Sequence, residues 1–112
     1  MTDCIFCKIV AGDIPSEKVY EDGDVLAFRD VQPVAPTHVL VIPKKHIADI
    51  TELGDAGLAS KLIVAINEVV KDQGLVADGF RVVNNCGEQG GQTVGHLHFH
   101  VLGGRDMQWP PG

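Results

Sequence analysis

Two periods of apolar residues run along this chain, one of 3.6 residues in its middle and one of two near its C-terminal end. Leu58, Leu62, Ile66, Val69 and Val70 share one helical face, while Lys61, Glu68, Lys71 and Asp72 fall largely opposite. That spacing predicts a helix over 58–73, stopped by Gly74. Residues 25–30 and 39–42 are short apolar runs separated by Gln32-Pro33-Val34-Ala35-Pro36, which predicts two strands joined by a turn. Residues 80–85 and 96–102 predict the last two strands, and residues 4–11 a short helix ending at Gly12. One long helix among closely connected strands implies an α+β fold with a mostly antiparallel sheet of about five strands. A single domain over residues 1–112 is expected.

The two-residue period carries chemistry. His96, His98 and His100 alternate with Leu97, Phe99 and Val101, so an extended strand turns three imidazoles to one face. A core strand face is normally filled by aliphatic side chains, which leaves metal binding or catalysis as the reading. The outer two α-carbons of a straight strand would stand roughly 13 Å apart. One zinc ion, about 2 Å from each ligand nitrogen, cannot gather all three without strain. Three rings at separate stations suit an extended substrate better. Just upstream, residues 87–95 contain Gly87, Gly90, Gly91 and Gly95 together with Thr93. By itself this is an ordinary hairpin loop, and its spacing fits neither a Walker A loop nor a dinucleotide fingerprint. Beside three histidines it reads as a nest of N–H groups for a phosphate.

The run His96-Leu97-His98-Phe99-His100-Val101-Leu102 resembles the histidine-triad pattern His-apolar-His-apolar-His-apolar-apolar. Residues 36–46, the Gly90-Gly91-Gln92-Thr93 segment and the tail 103–112, ending Trp109-Pro110-Pro111-Gly112, are similar to the nucleotide-binding branch of that family. The likeness covers the chain from about residue 5 onward. It implies a hydrolase of purine nucleoside 5′-phosphoramidates, of the AMP-amine or AMP-lysine type. His98 would attack the α-phosphorus and become transiently nucleotidylated. His100 would contact the phosphate oxygens beside Gly91, Gln92 and Thr93, and His96 and His38 would complete the histidine set. Asp30 would hold the ribose hydroxyls, Val31 and Phe6 the base, and Asn85 the region between ribose and phosphate. Trp109 would reach the partner's site in a homodimer, with the tail at the interface and the sheet continued across it. Gly95 departs from relatives that carry an aromatic residue there.

The chemistry needs these residue types. Imidazole, with an ordinary pKa near ~6.5, is mostly neutral at pH 7 and can attack without first losing a proton. It then departs readily, so covalent catalysis divides one displacement into two. Preorganised N–H donors meet charge developing on the phosphoryl oxygens. No carboxylate cluster suggests magnesium, so no cofactor is expected in catalysis. Cleavage of dinucleoside polyphosphates, as in another triad branch, and a nucleotide- or zinc-binding regulatory role are the alternatives.

Cys4 and Cys7 form a C-x-x-C and Cys86 stands alone, an odd count that fits a reducing compartment. The pair has the spacing of half a zinc site. Similarity to zinc-holding triad proteins implies His46 and His96 as the other two ligands, while the alternative is two small, partly buried thiols. Composition narrows the partners. The net charge of −6 argues against nucleic-acid backbones, and an anionic nucleotide must then be met locally by N–H groups, imidazoles and Arg105. Lys44 and Lys45 read as a solvated turn. No run approaches the roughly 20 apolar residues of a membrane span, and no leader is read before Cys4, so the expected location is cytoplasmic.

Overall fold

A computed structural model describes residues 3–112; residues 1–2, where the reading of no leader begins, lie outside it. The elements run α1 (Ile5–Ala11), β1 (Lys18–Glu21), β2 (Val25–Arg29), β3 (Thr37–Pro43), a 3₁₀ turn (Ile50–Glu52), α2 (Ala56–Asp72), β4 (Phe80–Asn84) and β5 (Phe99–Gly103). The strands form one sheet in the order β1-β2-β3-β5-β4, antiparallel at every pairing. This is the α+β architecture that the periodicity implies. The additional strand β1 escapes sequence reading because it has only four residues and exposes Lys18 and Glu21 at the sheet edge.

Each face of the sheet has its own apolar core. Val25, Ala27, Val39, Val41, Leu97, Phe99 and Val101 point one way, against Leu62, Ala65, Ile66, Val69 and Val70 of α2. Leu26, Phe28, Leu40 and Ile42 point the other way, against Phe6 and Ile9 of α1. Fully burying a side chain of this size contributes about 1.5–3 kcal/mol, so the two helices are pinned by side-chain burial. Cys4 is the N-cap of α1, its Sγ accepting from the Cys7 N–H at 3.4 Å. Gly12 closes the helix at φ 83°, a left-handed position that glycine adopts without steric cost. Asp55 caps α2 by accepting from the Leu58 N–H at 3.1 Å.

The strand expected over 96–102 begins its ladder only at Phe99. Ahead of it the chain bends through residues 94–96, and its polar groups are taken elsewhere. The Leu97 N–H donates to the Ile47 carbonyl at 2.6 Å, the His96 carbonyl accepts from the His98 ring, and the His98 carbonyl accepts from Asn84 Nδ2 at 3.0 Å. Alternation nonetheless holds: Leu97, Phe99 and Val101 sit in the α2-side core, which sends the histidines to the α1 side. Among the described residues no helix is long and apolar enough to cross a membrane.

Candidate functional site

A pocket of about 400 Å³ opens on the α1 side of the sheet. Phe6 of α1, Phe28 of β2, Leu40 of β3 and Val31 form its apolar part, and Asp30, Thr93, His98 and His100 are among its polar groups. Six of the residues anticipated for nucleotide binding therefore meet in one cavity: Phe6, Asp30, Val31, Thr93, His98 and His100. The walls also contain Ile14, Ser16, Arg29 and Gln32, which belong to no motif.

Hydrogen-bond partners assign the ring protons. His98 Nδ1 lies 2.7 Å from the His96 carbonyl oxygen. A carbonyl only accepts, so Nδ1 carries the proton and Nε2 keeps a free lone pair. His38 Nδ1 accepts from the Val34 N–H at 3.1 Å, which puts the His38 proton on Nε2. That proton donates to His100 Nδ1 at 2.9 Å, with an Asp30 oxygen 3.4 Å away. His100 in turn carries its proton on Nε2. Asp30, His38 and His100 also bring ligand-type atoms within 4.8 Å of one another. A metal on His38 Nε2 would require the proton on Nδ1, against the Val34 N–H, so this cluster suits a proton chain and not an ion.

Burial, and then the neighbouring His98 and His38 rings, push His100 down to about 4, partly opposed by the Asp30 carboxylate. Burial also lowers His38, again against Asp30. Both rings are neutral at pH 7.

The third histidine faces away from this chain of contacts. His96, with no exposed surface, donates from Nε2 to the Pro43 carbonyl at 2.8 Å. Its Nδ1 lone pair is left for Cys4 Sγ at 3.3 Å and Cys7 Sγ at 3.6 Å. His46 Nδ1 lies 3.3 Å from Cys7 Sγ, and the four ligand atoms all fall within 4.8 Å of one another. A tetrahedral zinc with bonds of about 2.3 Å to sulfur and 2.0–2.1 Å to nitrogen has S···N edges of about 3.5 Å. The donor set, its spacing and the His96 tautomer fit that ion. Burial pushes the Cys7 thiol up, helped by the adjacent Cys4.

Other anticipated residues lie in the loop or beyond it. The Gln92 side-chain amide is already engaged, accepting from the Gly87 N–H at 3.0 Å and donating to the Ala48 and Val94 carbonyls at 2.8 and 2.9 Å. Asn85 Nδ2 donates to the Gly90 carbonyl at 2.7 Å, and Gly91 takes φ 77°. These three residues shape the loop, and Thr93 is the part of it that lines the pocket. Trp109 is 82% exposed on the tail. Arg105 donates to the Val34 and Asp106 carbonyls and Lys44 pairs with Glu21 at 2.8 Å, so neither side chain is free for the pocket. Asn84 is the residue that sequence reasoning passed over; a second polar side chain next to Asn85, in an otherwise apolar strand, was the available signal.

The HIT-domain family profile matches residues 11–107. The chain is 49% identical to an uncharacterized HIT-like protein of Synechococcus elongatus over 98% of this chain and 97% of the relative. It superposes on a HIT family hydrolase from Legionella pneumophila Philadelphia 1 with a TM-score of 0.95 and 48% identity, covering 98% of this chain and 100% of the other. A histidine triad nucleotide-binding protein from Candida albicans gives a TM-score of 0.89 at 34% identity, over 96% and 83% of the two chains. With the triad geometry and these matches together, the chain belongs to the HIT-domain family.

Proposed function

We propose that the protein hydrolyses purine nucleoside 5′-phosphoramidates through a nucleotidyl group carried on His98. The observation that carries the reading is the His98 ring itself, its Nδ1 proton tied to the His96 carbonyl and its Nε2 lone pair free in a cavity with an apolar slot. The hydrolase name of the Legionella neighbour and the nucleotide-binding name of the Candida neighbour support it.

In this mechanism the base lies between Phe6, Phe28 and Val31, and Asp30 accepts from the ribose hydroxyls. Thr93 and the N–H groups of the glycine loop hold the phosphoryl oxygens. His98 Nε2 forms a bond to phosphorus as the P–N bond breaks, and the departing amine takes one proton. His100 supplies it: the incoming phosphoryl charge opposes the effects that hold the free ring low, so the loaded site can protonate it. Water then attacks phosphorus, His100 takes back a proton, and the His98–phosphorus bond breaks to release the nucleoside monophosphate. Positioned proton transfer of this kind contributes typically ~10²–10⁴-fold.

Cys4, Cys7, His46 and His96 would hold a zinc ion whose role is structural, joining α1 to the chain just ahead of β5. A homodimer formed along the open edge of β4 would carry the sheet across two chains. Free thiols at Cys4, Cys7 and Cys86 suit a reducing compartment such as the cytoplasm.

The test compares wild type and His98→Ala on AMP linked to an amine and on diadenosine polyphosphate. Wild type is expected to prefer the first, and the variant to lose ~10³-fold or more in kcat, in the range seen when a nucleophile is removed. Equal rates for the two proteins would remove His98 from this role, and a strong preference for the polyphosphate would move the enzyme to that reaction.

A further inference from the structure

Ser16 lines the histidine-containing pocket, yet the mechanism above gives it no task. Its hydroxyl is shielded from solvent and has no hydrogen-bond partner among the described residues. Buried polar groups left unpaired are rare and costly, so such a hydroxyl on a cavity wall points to a ligand. The residue as a whole is half-buried. A turn about χ1 between staggered positions carries the oxygen from its shielded place into the cavity.

The register of the sheet tells which part of a nucleotide Ser16 meets. Lys18 of β1 pairs with Phe28 of β2, and the Arg29 N–H donates to the Glu17 carbonyl at 2.9 Å. Carried one residue further, the same antiparallel register sets Ser16 opposite Asp30. Phe28 faces the α1-side core, whereas Arg29 turns back to Gln73, 2.8 Å away at the end of α2. Asp30 and Ser16 therefore face the α1 side again. Side chains directly opposite have Cβ atoms about 4.5–5.5 Å apart, so Ser16 stands beside the carboxylate assigned to the ribose.

Asp30 supplies only half of what a sugar hydroxyl can use. Its Oδ1 accepts from the Gln32 N–H at 2.8 Å, and a carboxylate has no proton of its own to give. A sugar hydroxyl that donates to Asp30 keeps lone pairs for which Asp30 offers no donor. The Ser16 O–H is such a donor. Position along the sheet selects the hydroxyl. His98 and His100 stand at β5, and the order β5-β3-β2-β1 puts Ser16, just ahead of β1, on the far side of Asp30 from the phosphorus. The 2′-hydroxyl is one carbon further from the 5′-phosphate than the 3′-hydroxyl, and is the one directed to that side.

We infer that Ser16 is a specificity-determining residue that donates to the ribose 2′-hydroxyl and so selects ribonucleotides over 2′-deoxyribonucleotides. The inference rests on the phosphoramidase reading for the orientation of the nucleotide, and it names the sugar that the site accepts. With a 2′-deoxy substrate the Ser16 hydroxyl stays unpaired.

The experiment measures kcat/KM of wild type and Ser16→Ala on the hexylamine phosphoramidates of AMP, 2′-deoxy-AMP and 3′-deoxy-AMP. The variant is expected to lose about threefold to tenfold on the AMP and 3′-deoxy compounds, the effect of one neutral hydrogen bond. On the 2′-deoxy compound it should stay within about twofold of wild type. Calorimetric affinities for the three free monophosphates should follow the same pattern. The melting temperature of the free variant should not fall, because the hydroxyl it lacks was unpaired. Equal losses on all three sugars would reduce Ser16 to packing, and losses confined to the AMP and 2′-deoxy compounds would assign it to the 3′-hydroxyl. Either result, or no loss on any compound, would overturn the inference. A wild type that hydrolyses none of the three amides would instead overturn the hydrolase reading, and the affinities would then decide Ser16.

Discussion

Because burial and two adjacent imidazoles hold His100 down to about 4 in the free protein, its protonation is linked to folding. An unfolded histidine titrates near ~6.5. Between that pH and about 4 the unfolded chain binds a proton that the folded one refuses, so stability is full above 6.5 and falls as the pH is lowered through this window. His38, also lowered by burial, acts in the same direction. His100→Asn should remove part of this acid sensitivity, on the order of 1–2 kcal/mol after discounting a partly exposed ring for solvent screening. Urea midpoints at pH 7.5 and 4.5 measure it; identical pH dependence in variant and wild type would contradict the assignment. The side on which the histidines lie was legible from alternation alone. Their tautomers were not, because those depend on Val34, Pro43 and the His96 carbonyl, distant or main-chain partners that no local pattern encodes.

Within the loop of residues 87–95, Gln92 acts through the backbone that it fixes, its own side-chain amide being engaged inside the protein. That amide ties the loop to itself and to Ala48 through three hydrogen bonds. Gln92→Ala should loosen the proposed phosphoryl cradle and lower kcat/KM by about tenfold or more, since small misplacements of positioning groups are costly. Its melting temperature should stay close to wild type, as a surface loop carries little of the core; a variant with unaltered kinetics would relegate Gln92 to packing. At α1, zinc content decides what joins helix to sheet. Protein purified without chelator should contain about one equivalent, and Cys7→Ser should lose it together with several degrees of melting temperature. Under a tenth of an equivalent in wild type would leave only thiol–imidazole contacts. The C-x-x-C showed half of this cluster in the sequence; Cys4 and His96, 92 positions apart, are brought together by folding. The 3.6-residue period gave α2 closely, whereas β1 was too short and too exposed to register.

At the scale of the molecule, β4 is an edge strand with Phe80 43% and Val82 41% exposed. Val82 stands opposite Val101, whose side chain is in the α2-side core, so both residues lean to the side of α2. There Ile63 and Val64 are exposed as well. An uncapped edge beside apolar surface favours association. Sedimentation should give twice the 12.0 kDa chain mass, and Val82→Lys should shift the protein toward the monomer. A wild type that sediments as a monomer at tens of micromolar would end this proposal. The sheet order β1-β2-β3-β5-β4 could not be read from sequence, because strand neighbours distant along the chain leave no periodic trace.

The acceptor that sets the His98 proton is a main-chain oxygen, that of His96. Every ordinary amino acid at position 96 would present the same atom, so side-chain scanning is blind to this contact and random replacement cannot easily erase it. Replacing the amide between His96 and Leu97 by an ester weakens that oxygen as an acceptor, and semisynthesis would therefore reach the orientation of the His98 ring where conventional mutagenesis does not.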